Sequence, residues 1–386
     1  MKKILIISYF YPPSVFVGGQ RIDYWAKNLH QFGYYPVIVT RNWNERQTTL
    51  TEEVIENELK IETYDTHEVH RLPIRRSLRD KLAEKRGMKI FQKTLTLWEI
   101  VVSNYSTKAL PYVNMLSYSD ELLQKGDFSA LIVSGRPFQS FQFGYKLKKK
   151  HKILWIPDFR DEWNSHNRFP TRNPFLRFLN YLEKRSERKW VSNADFFLTV
   201  SDIFSERINK LNGIQGSVVK NGYDAIIPKP KREDDDLNIL YAGTLYPYQD
   251  ITNLTEAIFA LDNPKIKFFF IGYCESPETL AYLKRLENEK PEIFQLIDKV
   301  PKEEFEKLIC QMDIGIMTPY KNLTGCLPVK IFDYYAHGLE LMLCPSDEDL
   351  MVDFIRDTQS GVTLNSQEEC EAYLERQLKA KMEGSF

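Results

Sequence analysis

The feature that most constrains this chain is a series of short, continuous apolar runs separated by longer amphipathic stretches. KILIIS (3–8), YPVIVT (35–40), SALIVS (129–134), ILWIP (153–157), FFLTV (196–200) and GSVVK (216–220) lack the alternation of a strand with one wet face. Strands covered on both faces read this way, as in parallel sheets flanked by helices. Helical patterns at 21–32 and 174–192 lie between such runs. Past Asn221-Gly222 the alternation restarts with LNILYAG (237–243), KIKFFFIG (265–272), FQLI (294–297), DIGIMT (313–318) and LELML (339–343). Helices are expected between them near 250–261, 276–288, 302–311 and 329–337. This order predicts an α/β chain of two doubly wound domains, residues 1–220 and 221–386, with a cleft between them. The exposed connection is PKPKREDDD (228–236). Residues 41–128 are less regular: 53–74 offers one or two strands, and the basic stretch after it reads as helix.

Composition narrows the function classes. The mean hydropathy of -0.41 and the lack of any apolar run near the ~18 residues a membrane span requires exclude an integral membrane protein. The opening MKKILIISYFYPP copies a signal peptide only superficially, since its short apolar stretch runs into Pro12-Pro13 without a small-residue cleavage site. A buried first strand and a cytoplasmic location are expected. The five cysteines, never spaced C-x-x-C, signal neither a disulfide framework nor zinc, and behave as small apolar side chains. His67 and His70 lack a third ligand-type neighbour, so no metal site is expected.

Charge is unevenly spread. Residues 1–220 carry 35 basic and 23 acidic side chains, against 17 and 30 in residues 221–386. The densest basic segment, 71–93, holds nine Lys and Arg opposed only by Asp80 and Glu84. Its bases crowd around Leu72, Ile74, Leu78, Leu82, Met88 and Ile90, the pattern of an interfacial helix, so a peripheral contact with anionic membrane is expected. No nucleic-acid reading motif or row of stacking aromatics accompanies the bases.

Ligands in doubly wound sheets bind beyond the carboxyl ends of strands, and three such segments stand out. The first strand leads to Gly18-Gly19 before a helix, where close backbone approach and free amides suit a phosphate. The fourth run leads to Asp158, Arg160, Asp161 and Trp163, with Arg136 arriving from the neighbouring SGRP. An ion pair that merely ties this loop is the competing structural reading. TGCLPVKIFDYYAHG (324–338) places Pro328 at a helix start, Lys330 in its first turn and Asp333 one turn deeper, where a carboxylate can accept hydrogen bonds from ribose hydroxyls. The competing reading there is a plain amphipathic helix with Ile331, Phe332 and Tyr335 in the core and His337 near its end.

The succession PP…GGQR, SGRP, PDFRDEW, VKNGYD (219–224), LYAGTLY (240–246) and PVKIFDYYAHG resembles family 4 of the GT-B glycosyltransferases. The resemblance implies two facing Rossmann-like domains, with the acceptor on the first and a nucleoside-diphosphate-sugar donor mainly on the second. It further implies metal-independent transfer with retention of anomeric configuration, with no cofactor beyond the donor substrate. By position, Gly18, Gly19, Arg136, Gly243, Thr244, Pro328 and Asp333 would bind donor, and Arg160, Asp161 and Lys330 would be catalytic. Asn221 and Gly222 would mark the hinge. Asp333 stands where the family has a glutamate, Gly325 where it has a second acidic residue, and LYPYQD (245–250) lacks the bases many members carry. The expected activity is transfer of a sugar to a cell-surface polysaccharide or lipid-linked glycan precursor. The alternatives are a non-catalytic nucleotide-sugar-binding or scaffold protein and a sugar-nucleotide epimerase of the same fold.

Overall fold

The computed structural model describes residues 1–14, 16–43, 58–73, 95, 98, 101–165, 172–230 and 234–384. The chain divides into two compact units, Met1–Lys220 and Asn221–Phe386. The first is built on β1 (Lys2–Ser8), β2 (Tyr34–Arg41), β3 (Lys60–Thr63), β4 (Glu68–Leu72), β5 (Phe128–Ser134), β6 (Leu154–Phe159), β7 (Phe197–Thr199) and β8 (Gly216–Val218). They form one sheet in the order β3-β4-β2-β1-β5-β6-β7-β8, in which only β3 runs antiparallel to its neighbour. Its described helices are α1 (Gln20–Asn28), α2 (Asn114–Lys125), α3 (Phe141–His151), α4 (Pro174–Val191) and α5 (Asp202–Asn212).

All six apolar runs of this half are strands. Ile6, Ile38, Ile132 and Ile156 from four adjacent strands pack with Ile22 and Ala26 of α1 in one core cluster. The pattern at 21–32 is split, because α1 ends at Asn28 and a tighter turn, Leu29–Phe32, closes on Gly33. Gly33 sits at φ 82°, a left-handed conformation that suits glycine, and its N–H meets the His30 carbonyl. The segment 53–74 supplies β3 and β4, while the basic helix expected after it lies outside the described residues.

The second unit has β9 (Leu237–Leu245), β10 (Ile266–Cys274), β11 (Phe294–Ile297), β12 (Ile314–Met317), β13 (Glu340–Leu343) and β14 (Gly361–Thr363), all parallel, in the order β11-β10-β9-β12-β13-β14. Its described helices are α6 (Thr252–Leu261), α7 (Pro277–Glu289), α8 (Lys302–Ile309), α9 (Lys330–Ala336), α10 (Leu350–Thr358) and α11 (Gln367–Met382). Serine or asparagine caps start several helices: Asn173 accepts from Phe175 N–H before Pro174 in α4, and Ser276 accepts from Thr279 N–H before Pro277 in α7. The short, half-exposed β14 carries no apolar run and escapes a reading by periodicity.

Strand order reverses between β1 and β5 in the first unit and between β9 and β12 in the second, which fixes where ligands should meet each sheet. None of the described helices is long and apolar enough to cross a membrane. The cysteines are free, and Cys344 and Cys370 lie with their Sγ atoms 3.6 Å apart in the core.

Candidate functional site

In the second unit, β9 ends with the backbone turned open at Gly243, whose φ of 99° favours glycine. Its register partner on β10 is Gly272, where any Cβ would overlap the Gly243 carbonyl. Paired glycines therefore let β9 and β10 stay together while the backbone of Gly243 and Thr244 is presented at the carboxyl end of the sheet. The Lys330 side chain runs beside this turn, with its Cε 3.9 Å from the position a Cβ on Gly243 would occupy. Its Nζ is buried 3.8 Å from the centre of the Tyr241 ring and has no hydrogen-bond partner among the described residues. Burial with no balancing carboxylate pushes the Lys330 amine down to about 7.

Tyr241 is fixed in turn. Its ring stacks on Phe270 at 5.6 Å, and its hydroxyl donates to the Thr244 carbonyl and to Gln249 Oε1. Gln249 is buried and bolts the turn after β9 to the end of β12: Oε1 also accepts from Tyr246 N–H, and Nε2 donates to the Thr318 carbonyl. The sequence reading noted that LYPYQD has no base but gave Gln249 no role. A polar side chain at a buried strand end is the signal that was available.

Gly325, at φ 81°, turns the loop before α9, and its N–H is held by the Asp349 carboxylate. Pro328 is buried at the start of the following turn, its carbonyl accepting from Ile331 N–H. Asp333 lies on α9 three residues after Lys330, with no ion pair between them. Its carboxylate makes no hydrogen bond or ion pair among the described residues. Burial pushes it up to about 6, while His337 and Lys302 oppose that rise and Glu306 adds to it. His337 donates from Nδ1–H to the Asp333 carbonyl and closes the helix end. Core packing is also real here: Ile331, Phe332 and Tyr334 are buried, and the Tyr334 hydroxyl accepts from Ala242 N–H of β9 at 2.7 Å. Tyr335, expected in the core, is only half-buried, packed at the rim against Tyr223 and Phe354.

The first unit gathers a second polar cluster beyond β1, β5 and β6. Asp158 is fully buried, accepts from Ser134 Oγ at 3.0 Å and pairs with Arg21 Nε at 3.3 Å. Arg21 also donates to the Val219 carbonyl at 2.6 Å, so the arginine of GGQR is a bolt joining α1 to β6 and the end of β8. Arg160 pairs with neither Asp158 nor Asp161. Its Nε donates to the Gly135 carbonyl at 2.6 Å, and its guanidinium lies so close over Gly18 that a Cβ there would overlap it. Burial lowers the Arg160 pKa, with Asp158 and Asp161 opposing. Asp161 pairs with Arg136 Nε at 3.2 Å, both partly exposed. The ion pair that ties this loop is therefore Arg136–Asp161, while Arg160 is left facing the glycine turn. Gly19 serves its own loop: a Cβ would come within 2.9 Å of Tyr11 Cα. Trp163 fills the space behind, stacked between Phe138 at 5.2 Å and Trp190 at 5.5 Å.

His67 and His70 are engaged elsewhere, His67 with Thr66 and Tyr11, His70 with Tyr118 and Glu68. No group of three metal-ligating side chains occurs among the described residues.

No family model matches the sequence, and no curated protein does. Solved structures do match over almost the whole chain. The catalytic domain of starch synthase IV from Arabidopsis thaliana, bound to ADP and acarbose, superimposes with a TM-score of 0.62 at 12% identity, covering 98% of this chain and 92% of that one. Sucrose-phosphate synthase from Thermosynechococcus elongatus gives 0.59 at 12% identity, covering 99% and 91%. HepE from Anabaena in complex with UDP gives 0.58 at 9% identity, covering 98% and 90%. The fold is GT-B. At such identities the GT-B match establishes architecture and leaves the chemistry to the residues.

Proposed function

We propose that this protein is a glycosyltransferase that moves a sugar from a nucleoside diphosphate to a polysaccharide or lipid-linked glycan precursor. The observation that carries the proposal is the buried, partnerless amine of Lys330 beside the open turn at Gly243. A buried ammonium without an anion is costly, and a diphosphate at Gly243 and Thr244 would supply one. Asp333, with free acceptor oxygens, would take the ribose hydroxyls, and Pro328 would shape the loop alongside. Neighbours of the same fold bound to ADP or UDP support this assignment.

The segment 244–250 carries no base, so in this unit Lys330, beside Gly243, would supply positive charge to the diphosphate. In transfer, the acceptor oxygen bonds to the anomeric carbon as the bond to the diphosphate oxygen breaks. The acceptor proton passes to the departing diphosphate, on the face where the new bond forms, which retains configuration. Lys330 would stabilise charge as it develops on the leaving group. This chemistry needs no metal or further cofactor. The first unit would hold the acceptor. Arg160, over Gly18 and next to the Gly19 turn, would receive a phosphate group of the substrates, with Arg136 and Asp161 lining the approach. The reaction would take place in the cytoplasm, at the inner face of the membrane, if the acceptor is lipid-linked.

Calorimetric titration with UDP, GDP, dTDP and ADP tests the proposal. One nucleotide should bind clearly best, and Asp333→Ala should weaken it by about 1.5–3 kcal/mol, the range for a hydrogen bond to a charged group. Equal affinity of variant and parent, or binding of none of the four, would overturn the assignment.

A further inference from the structure

Helix α4 begins with a solvent-exposed first turn. Its buried face is carried by Leu179, Leu182, Trp190 and Val191, whereas every described residue from Arg172 to Phe178 is exposed. Four large apolar side chains stand in water on this tip: Phe175 at 47% exposure, Leu176 at 43%, Phe178 at 53% and Tyr181 at 63%. The tip is a formed helix end, since Asn173 accepts hydrogen bonds from the Phe175 and Leu176 amides. Its apolar side chains are therefore held outward by regular backbone.

From these observations we infer that the tip of α4 inserts into an anionic lipid surface. At roughly 100° per residue, Phe175, Leu176, Phe178 and Tyr181 point to about 0°, 100°, 300° and 240° around the axis. A protein groove takes one stripe of a helix, while a bilayer interface receives apolar groups from all sides of an inserted end. The charges agree. Arg172, Arg177 and Arg185 are exposed, whereas the helix's two acidic residues do not face the lipid: Glu187 is fully buried, and burial raises the pKa of Glu183. Long arginine stems can lie along the acyl boundary with their guanidinium groups among anionic headgroups. A symmetric pairing of two tips fits poorly, since it would set the same arginines against one another. The inference deepens the proposed function and rests on it for its purpose, which is to bring the acceptor-binding unit to a lipid-linked acceptor.

Co-sedimentation of the full chain with vesicles tests it. Binding is expected to equimolar phosphatidylcholine and phosphatidylglycerol, and to be weaker by about tenfold or more on pure phosphatidylcholine. The triple change Phe175→Ser, Phe178→Ser and Tyr181→Ser should lower the partition coefficient on the mixed vesicles by at least about tenfold, because it removes the inserted apolar area. All three sites are exposed, so circular dichroism and nucleotide affinity should stay at parental values. In a Phe178→Trp variant, lipids brominated on the acyl chains should quench added fluorescence. Parental vesicle binding by the triple variant, no quenching at position 178, or a protein left in the supernatant by both vesicle types would each overturn the inference, the last pointing to a protein partner instead. A parent chain that binds nucleotide but neither vesicle type would sink the surface alone. Failure of nucleotide binding would sink the catalytic reading and leave the surface standing.

Discussion

Lys330 concentrates the physical tension of the molecule in one side chain. Its amine is pushed down to about 7, below the ordinary lysine value near 10.4, so the unfolded chain binds more protons than the folded one between those limits. Stability of the ligand-free protein should therefore rise as pH increases from about 7 towards about 10, and Lys330→Met should abolish that rise in thermal melts taken across the range. A bound diphosphate favours the charged amine. Nucleotide affinity should accordingly fall as pH climbs above about 7, with proton uptake on binding visible as a dependence of the calorimetric heat on buffer. Flat affinity from pH 6 to 9 would remove Lys330 from the site. Arg160 stands differently. Its guanidinium faces Gly18 and, among the described residues, holds only the Gly135 carbonyl, so Arg160→Ala should lower turnover far more than the melting temperature. Asp161→Asn should likewise act on turnover, through Arg136.

Buried polar side chains fasten the functional loops to regular elements. Glu187 of α4 accepts from the Asn164 amide, just past β6, and from Asn212 at the end of α5. Burial pushes its carboxyl up to about 7. A carboxyl raised on folding contributes stability that is complete below about pH 4 and lost as pH rises through about 7. Glu187→Gln cannot titrate and keeps one of the two acceptor oxygens, so its melting temperature should lack the parent's fall between pH 5 and 7 while carrying a pH-independent offset from the lost contact. Gln249 does comparable work after β9. Gln249→Ala leaves the Tyr241 hydroxyl, the Tyr246 amide and the Thr318 carbonyl without that partner, a cost of about 1–3 kcal/mol by denaturant titration if one buried group goes unsatisfied. A melting curve identical to the parent's would show that the turn holds without it.

At the scale of the whole chain, each unit has its own sheet and its own apolar core, and each polar cluster described above is assembled within one unit. Residues 221–386 expressed alone should fold cooperatively and bind the preferred nucleotide with an affinity set by Lys330 and Asp333. A soluble, folded fragment with no nucleotide affinity would show that the donor needs groups from the first unit. The basic excess of residues 1–220 should appear as salt-sensitive adsorption of that unit to anionic surfaces, screened over about 10 Å at 0.1 M salt.

The sequence by itself determined the architecture. Buried parallel strands need unbroken apolar runs, and eleven such runs, with helices spaced between them, admit little besides two doubly wound sheets. It also determined that the polar candidates fall at the carboxyl ends of strands, because they directly follow those runs. What it could not supply was the pairing of charges. Arg21, Arg136 and Arg160 are equivalent as letters, yet one bolts Asp158, one pairs with Asp161 and one is left over a glycine. Lys330 was a candidate by its place in the first turn of a helix, but its burial against Tyr241 was not legible, nor was the exposure of Phe175, Phe178 and Tyr181 on α4. Local periodicity reports which face a residue occupies along its own element. Distances between residues far apart in sequence, and the point at which packing stops, arise only when the elements are brought together.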